Sequence, residues 1–163
     1  RVETRRSRPT RSHSMKSNER NNHHGGQNPY LGPGSLVIGS SDDQYKLDVD
    51  CTSVELSPDN SSEDPDTYLD GHEEGGALRT SWKLSGSIGE DFSMNGAQVY
   101  CLNNAGETKP AKFIPNTSGA LQLDMTVTIA PIAFGGDVKT KNKKDFEFSA
   151  TGVKASAYTK PSA

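Results

Sequence analysis

Cysteine is scarce: only Cys51 and Cys101 occur in 163 residues, too few for the disulfide framework of a small secreted domain. Each lies among apolar residues, so both read as small buried core residues. Long hydrophobic runs are missing as well, and no stretch approaches the roughly 18–20 residues that span a bilayer. The basic start is followed by no apolar segment of the kind a secretory leader carries. The expectation is a soluble protein made in a reducing cytoplasm, with no membrane partner. Hydrophobic residues make up 31%, against roughly 45–50% (Gly included) in ordinary globular chains, and mean hydropathy is −0.75. Much of the deficit falls in the first thirty residues. From Leu31 onward apolar residues are frequent enough for a modest core, and a domain of about 130 residues buries roughly two-thirds of its unfolded surface.

Motifs that carry chemistry are also missing. No C-x-x-C, G-x-S-x-G or G-x-x-x-x-G-K-[ST] occurs. Against the calcium-loop pattern the acidic stretch from Asp59 fails, with Ser61 at the third position and Asp64 where Gly is required. His13, His23 and His24 fall in a polar arm, and His72 stands beside Glu73 and Glu74 without the H-E-x-x-H spacing of a zinc hydrolase. Asn60-Ser61-Ser62 and Asn116-Thr117-Ser118 match the glycosylation pattern, which without a leader reads as chance. No catalytic, cofactor-binding or metal-binding residue is assigned, and no enzyme is expected.

Charge is divided unevenly. In residues 1–24, Arg1, Arg5, Arg6, Arg8, Arg11, Lys16 and Arg20 stand against Glu3 and Glu19, a net of +5 that leaves −8 for the remainder of a −3 total. Residues 1–33, rich in Arg, Ser, Asn, His and Gly, read as a disordered basic and polar arm. A nucleic-acid contact through residues 1–24 is the functional counterpart of that reading. Met15-Lys16-Ser17-Asn18 makes an ordinary start, so residues 1–14 are expected not to be native. Residues 34–154 read as the folded domain and 155–163 as a flexible tail.

What is present inside the domain is alternation. Leu36-Val37-Ile38 is a short apolar run between Gly34 and Gly39. Leu47, Val49 and Cys51 alternate with polar residues, and the phase slips by one at Val54 and Leu56, which predicts a β-bulge near Thr52-Ser53. Leu78, Thr80, Trp82, Leu84 and Ile88 keep one parity. So do Leu121, Leu123, Met125, Val127 and Ile129, and then Phe146 and Phe148. Trp82, Leu84, Leu123, Met125, Val127, Ile129, Phe146 and Phe148 are the expected core. One buried and one wet face predicts a mainly all-β chain, an antiparallel sandwich or barrel. A single short helix is expected after Asp91 or Ser93, with Met94, Ala97 and Cys101 on one side and an end near Gly106.

Two charged stretches are candidate contact sites. A long loop between Leu56 and Leu78 carries Asp59, Glu63, Asp64, Asp66, Asp70, Glu73 and Glu74, and such an excursion from a compact domain is usually functional. Lys139, Lys141, Lys143 and Lys144, flanked by Asp137, read as a turn or interface loop facing acidic groups on another copy. Aromatic interleaving of the kind a single-strand nucleic-acid platform uses is missing there.

The run Thr80-Ser81-Trp82-Lys83-Leu84-Ser85-Gly86-Ser87-Ile88, followed by Glu90-Asp91-Phe92, resembles the "W-x-L-x-G … Q-D" stretch of bacteriophage major tail proteins. These are the tail-tube subunits of siphovirus-like phages and prophages. Gly135-Gly136-Asp137-Val138, then Asp145-Phe146-Glu147-Phe148 and Gly152, follow in the order of that family's "GGDV … DFEF … G" ending. The likeness spans residues 36–152; Glu90 replaces the usual Gln, and the arm before residue 34 departs from the pattern. The resemblance implies a β-sandwich or barrel with a short helix, six copies closing into a ring, and rings stacking around a tape-measure protein. It implies further that tail-completion proteins are partners and that DNA crosses the lumen without specific binding. It places the chain in the virion tail, and in the bacterial host cytoplasm during assembly. The acidic loop would then be an inter-ring contact and the lysine loop a subunit interface. The alternative is a non-enzymatic β-sandwich module that binds carbohydrate or a host surface through exposed aromatics. Tyr30, Tyr45, Tyr68 and Tyr158 are scattered in the sequence, which disfavours it.

Overall fold

A sheet whose residues alternate in polarity has one face to hide, and this chain hides it by curling a single sheet over itself. The computed structural model describes residues 30–162. In chain order the strands are β1 (Ser35–Ile38), β2 (Tyr45–Lys46), β3 (Cys51–Ser62), β4 (Asp66–Thr67), β5 (Glu73–Glu74) and β6 (Leu78–Gly89). The helix α1 (Ala97–Asn103) follows, then β7 (Thr108–Ile114), β8 (Leu121–Thr128) and β9 (Lys143–Ala157). Seven strands form one antiparallel sheet in the order β2-β1-β7-β8-β9-β6-β3, and β4 and β5 form a separate pair. The fold is therefore mainly antiparallel β with one short helix. It is sandwich-like and does not close into a barrel, because β2 and β3 remain as two edges.

The curl is made along β9. Its first half pairs with β6 (Gly89↔Lys143 through Trp82↔Ala150), and its second half pairs with β8 (Thr128↔Ser149 through Leu121↔Ala157). One strand thus belongs to both wings. Side chains from the two wings and α1 meet in one core of Leu36, Ile38, Leu84, Ile88, Ala97, Cys101, Met125, Val127, Ile129, Phe146 and Phe148, all at most 4% exposed. Trp82 and Leu123, expected in that core, are half-buried against it. Leu78 and Leu121 share their parity but are 69% and 46% exposed, because β6 and β8 run past the end of the core.

Several elements differ from the sequence expectation. Residues 58–77 are not one long loop. β3 continues to Ser62, paired residue for residue with β6 as far as Ser62↔Leu78, and only residues 63–77 form the connection. Pro58 stands opposite Trp82, on an edge strand, where a missing N–H is tolerated. The bulge falls where the alternation slips, between Cys51 and Ser53. The expected strand through Leu47 and Val49 is a 3-10 turn, with Leu47 buried and Val49 78% exposed. The helix starts at Ala97 with Gly96 as N-cap and ends at Asn103. Met94 precedes it and is 81% exposed, while Asp91 folds back on Ser93, accepting from its N–H at 2.9 Å and its hydroxyl at 2.8 Å.

Of the expected arm, residues 1–29 lie outside the described residues. Residues 30–33 run beside the turn after β7. The Asn116 amide donates to the carbonyls of Tyr30 (3.0 Å) and Gly32 (3.2 Å), and the Thr117 N–H donates to that of Pro33 (2.8 Å). The Asn116-Thr117-Ser118 triplet thus has a folding role as a turn.

Candidate functional site

The β3–β6 hairpin extends beyond the core and carries the acidic stretch at its far end. The Glu63 N–H donates to the Ala77 carbonyl at 3.2 Å, closing the ladder, and β4 and β5 form a short pair beyond it. At the tip the Tyr68 N–H donates to the His72 carbonyl (3.0 Å) and the Gly71 N–H to the Tyr68 carbonyl (2.9 Å). The Tyr68 ring stacks on His72 at 4.4 Å, and its hydroxyl donates to Glu74 at 2.8 Å. Backbone and ring donors from His72 hold the Asp70 carboxyl below its usual range. Leu69 projects from this turn fully exposed. Glu63 pairs with Arg79 and Asp70 with His72. Asp59, Asp64, Asp66 and Glu73 have no ion-pair partner among the described residues.

The lysine loop lies at the other end. Lys143 and Lys144 open β9 opposite Gly89 and Ile88, and Ile88 in turn stands opposite Cys51, the first residue of β3. The acidic tip lies beyond Ser62↔Leu78, ten residues along the same strands, or about 33 Å away at about 3.3 Å per residue. Lys139 occupies the turn between β8 and β9 with φ +62. Among the described residues none of Lys139, Lys141, Lys143 and Lys144 forms an ion pair.

Three side chains to which the sequence gives no contact role fix this loop. Gln98, 1% exposed on α1, donates from Nε2 to the Ala133 carbonyl at 2.6 Å and accepts from the Asp91 N–H at 3.1 Å. Glu90 accepts from the Gly135 N–H. Asn142 accepts from the Asp137 N–H and donates to its carbonyl, both at 3.2 Å. The signal for Gln98 was its place one residue from Ala97 and three from Cys101, on the helix face that turns inward. Gln98→Leu is expected to lower stability by about 1–3 kcal/mol, since it removes two part-buried hydrogen bonds, each worth roughly 0.5–1.5 kcal/mol net. Urea unfolding measures it, and a change under about 0.5 kcal/mol would show that the clamp is dispensable.

Burial pushes the Cys51 and Cys101 thiols up to about 12, with Asp48 and Asp50 adding to the shift at Cys51. His72 sits on the exposed tip. Among the described residues no three His, Cys, Asp or Glu side chains lie together as metal ligands. A cleft of about 330 Å³ opens where β1 and β3 fail to meet, lined by Pro33, Leu36, Asp48, Cys51, Val54 and Phe113.

No protein-family model matches the chain, and no curated protein does. Solved structures match it along most of its length. A chain in the tail of an empty gene transfer agent particle, a tail of C6 symmetry, is 17% identical; the match covers 77% of this chain and 95% of that one with a TM-score of 0.50. A chain in the virion of a native gene transfer agent particle is 18% identical, covering 76% and 95% with a TM-score of 0.52. Over about three quarters of its length the chain therefore shares the fold of a chain found in the tail of a gene transfer agent particle.

Proposed function

We propose that this chain is a non-enzymatic tail-tube subunit of a siphovirus-like phage or prophage. Its copies close into six-membered rings, and the rings stack into the conduit for DNA. The observation that carries this reading is the fold shared with a chain in a C6-symmetric particle tail, nearly all of which is matched. The domain's own shape supports it. A hairpin that leaves the core, and an outer edge of β3 with no strand beside it, are features that a monomer must shield and an assembly can use. The net charge of −8 outside residues 1–24 suits a wall along which DNA slides, since an acidic surface gains nothing from counterion release. In this reading the chain works with a tape-measure protein and tail-completion proteins, is assembled in the host cytoplasm and ends in the virion tail.

Purified protein is expected to form rings or tubes with a central channel in negative-stain electron microscopy as concentration rises, with light scattering following the same dependence. A species that stays monomeric at every concentration and binds glycans would replace this reading with the carbohydrate module. The aromatics give that module little to work with: Tyr30, Tyr68, Phe92 and Phe134 are exposed but belong to four separate segments, and Trp82 is half-buried.

A further inference from the structure

Leu69 and Val138 are among the most exposed large apolar residues described, at 108% and 89%. Burying an aliphatic side chain of this size releases about 1.5–3 kcal/mol, so an apolar residue held out at the apex of an ordered turn is an unused contact. The two apices carry opposite charge. In the chain around Leu69 stand Asp64, Asp66, Asp70, Glu73 and Glu74, with Tyr68 beside it 44% exposed; around Val138 stand Lys139, Lys141, Lys143 and Lys144, with Phe134 46% exposed four residues before it. Both turns are built before any partner arrives. The first is held by the β4–β5 pair and the Tyr68–His72 stack, the second by Gln98, Glu90 and Asn142. The ten residues of β6 between Leu78 and Ile88, about 33 Å of strand, separate the bases of the two turns, so the turns cannot meet within one molecule.

We propose that the acidic tip around Leu69 seats on the basic turn around Val138 of a second copy of this chain, head to tail. The inference rests on the tube reading above and names the partner surface within it. A contact between two different patches at opposite ends leaves one of each free after every addition, so it extends without closing. That is the geometry of stacking. It also gives the stack a polarity and makes its growth sensitive to salt, since exposed charges at such a contact are screened within about 8–10 Å at ordinary ionic strength.

The test uses the full chain with three charge variants. D64K/D66K/E73K reverses the tip at exposed residues without ion-pair partners, K139E/K141E/K143E reverses the turn, and a third carries all six changes. Assembly, read as the fraction sedimenting with tubes, is expected to fall at least tenfold in each single-ended variant and to return toward wild type in the six-fold swap. Circular dichroism is expected to be unchanged throughout. A separate variant, Leu69→Cys with Val138→Cys, is expected to give an open ladder of crosslinked dimers, trimers and higher species on oxidation. Wild-type tubes that survive either reversal overturn this pairing and leave the tube reading standing. Crosslinking that stops at dimers also overturns it, because an antiparallel closed pair would satisfy both patches. A wild-type chain that never assembles overturns the tube reading and this inference together.

Discussion

Gly86→Val is expected to abolish cooperative folding, and Gly86→Ala to cost at least about 3 kcal/mol, the upper end of the range for overpacking a well-filled site. Gly86 lies in the middle of β6, with Val54 of β3 on one side and Phe146 of β9 on the other. A methyl group placed there would come within 2.1 Å of the Ser53 carbonyl oxygen and 3.0 Å of two atoms of the Phe146 ring. In a looser core the ring would swing aside, but its tilted contact with Phe148 at 5.2 Å and the 3% exposure of Phe146 hold it. The carbonyl is fixed by the bulge, where the Ser53 hydroxyl oxygen also accepts from the Ser87 N–H at 3.1 Å. Relief therefore requires β3 to lift from β6 at its base. Against a total stability of roughly 5–15 kcal/mol for a small domain, such a loss would lower the melting midpoint steeply. Thermal unfolding followed by circular dichroism measures it, and a Gly86→Ala midpoint within a degree or two of wild type would refute the close-contact argument.

The same bulge shows how much the sequence could and could not tell. The slip of parity between Cys51 and Val54 located it, because a single extra residue must move every later side chain to the other face. Alternation also found Leu84, Ile88, Met125, Val127, Ile129, Phe146 and Phe148, whose burial follows from period two alone. It could not tell where the core stops, so Leu78 and Leu121 carry the right parity and stay in water. The outer part of β3, Ser57-Pro58-Asp59-Asn60-Ser61-Ser62, has almost no intrinsic strand preference. It is extended because β6 pairs with it, and pairing is a long-range fact. β7 went unassigned for a related reason: Pro110 interrupts a segment in which Ala111 and Phe113 are buried around Lys112. The candidate contact residues were visible as two charged clusters. Their placement at opposite ends of one hairpin emerged only from the strand register, and the Gln98 clamp only from the docking of α1.

Phe148→Ala is expected to cost about 3–5 kcal/mol, the range for truncating a buried aromatic to alanine, and so to leave much of the isolated chain unfolded. Phe148 is fully buried on β9, stands opposite Leu84 across the β6 pairing, and lies one residue before the point where β9 passes from β6 to β8. The void would therefore open at the joint of the two wings, where neither can close it without breaking its ladder with β9. Leu78→Ala, on the same parity of the neighbouring strand but 69% exposed, is expected to change stability by less than about 0.5 kcal/mol, as surface substitutions do. The contrast separates burial from pattern, and equal losses in the two variants would defeat the account of the core given above. The measurement has to be made at low protein concentration. If the chain assembles as proposed, association adds stability to the folded subunit by mass action, so the unfolded fraction of Phe148→Ala should fall as protein concentration rises while its free-energy deficit relative to wild type stays the same.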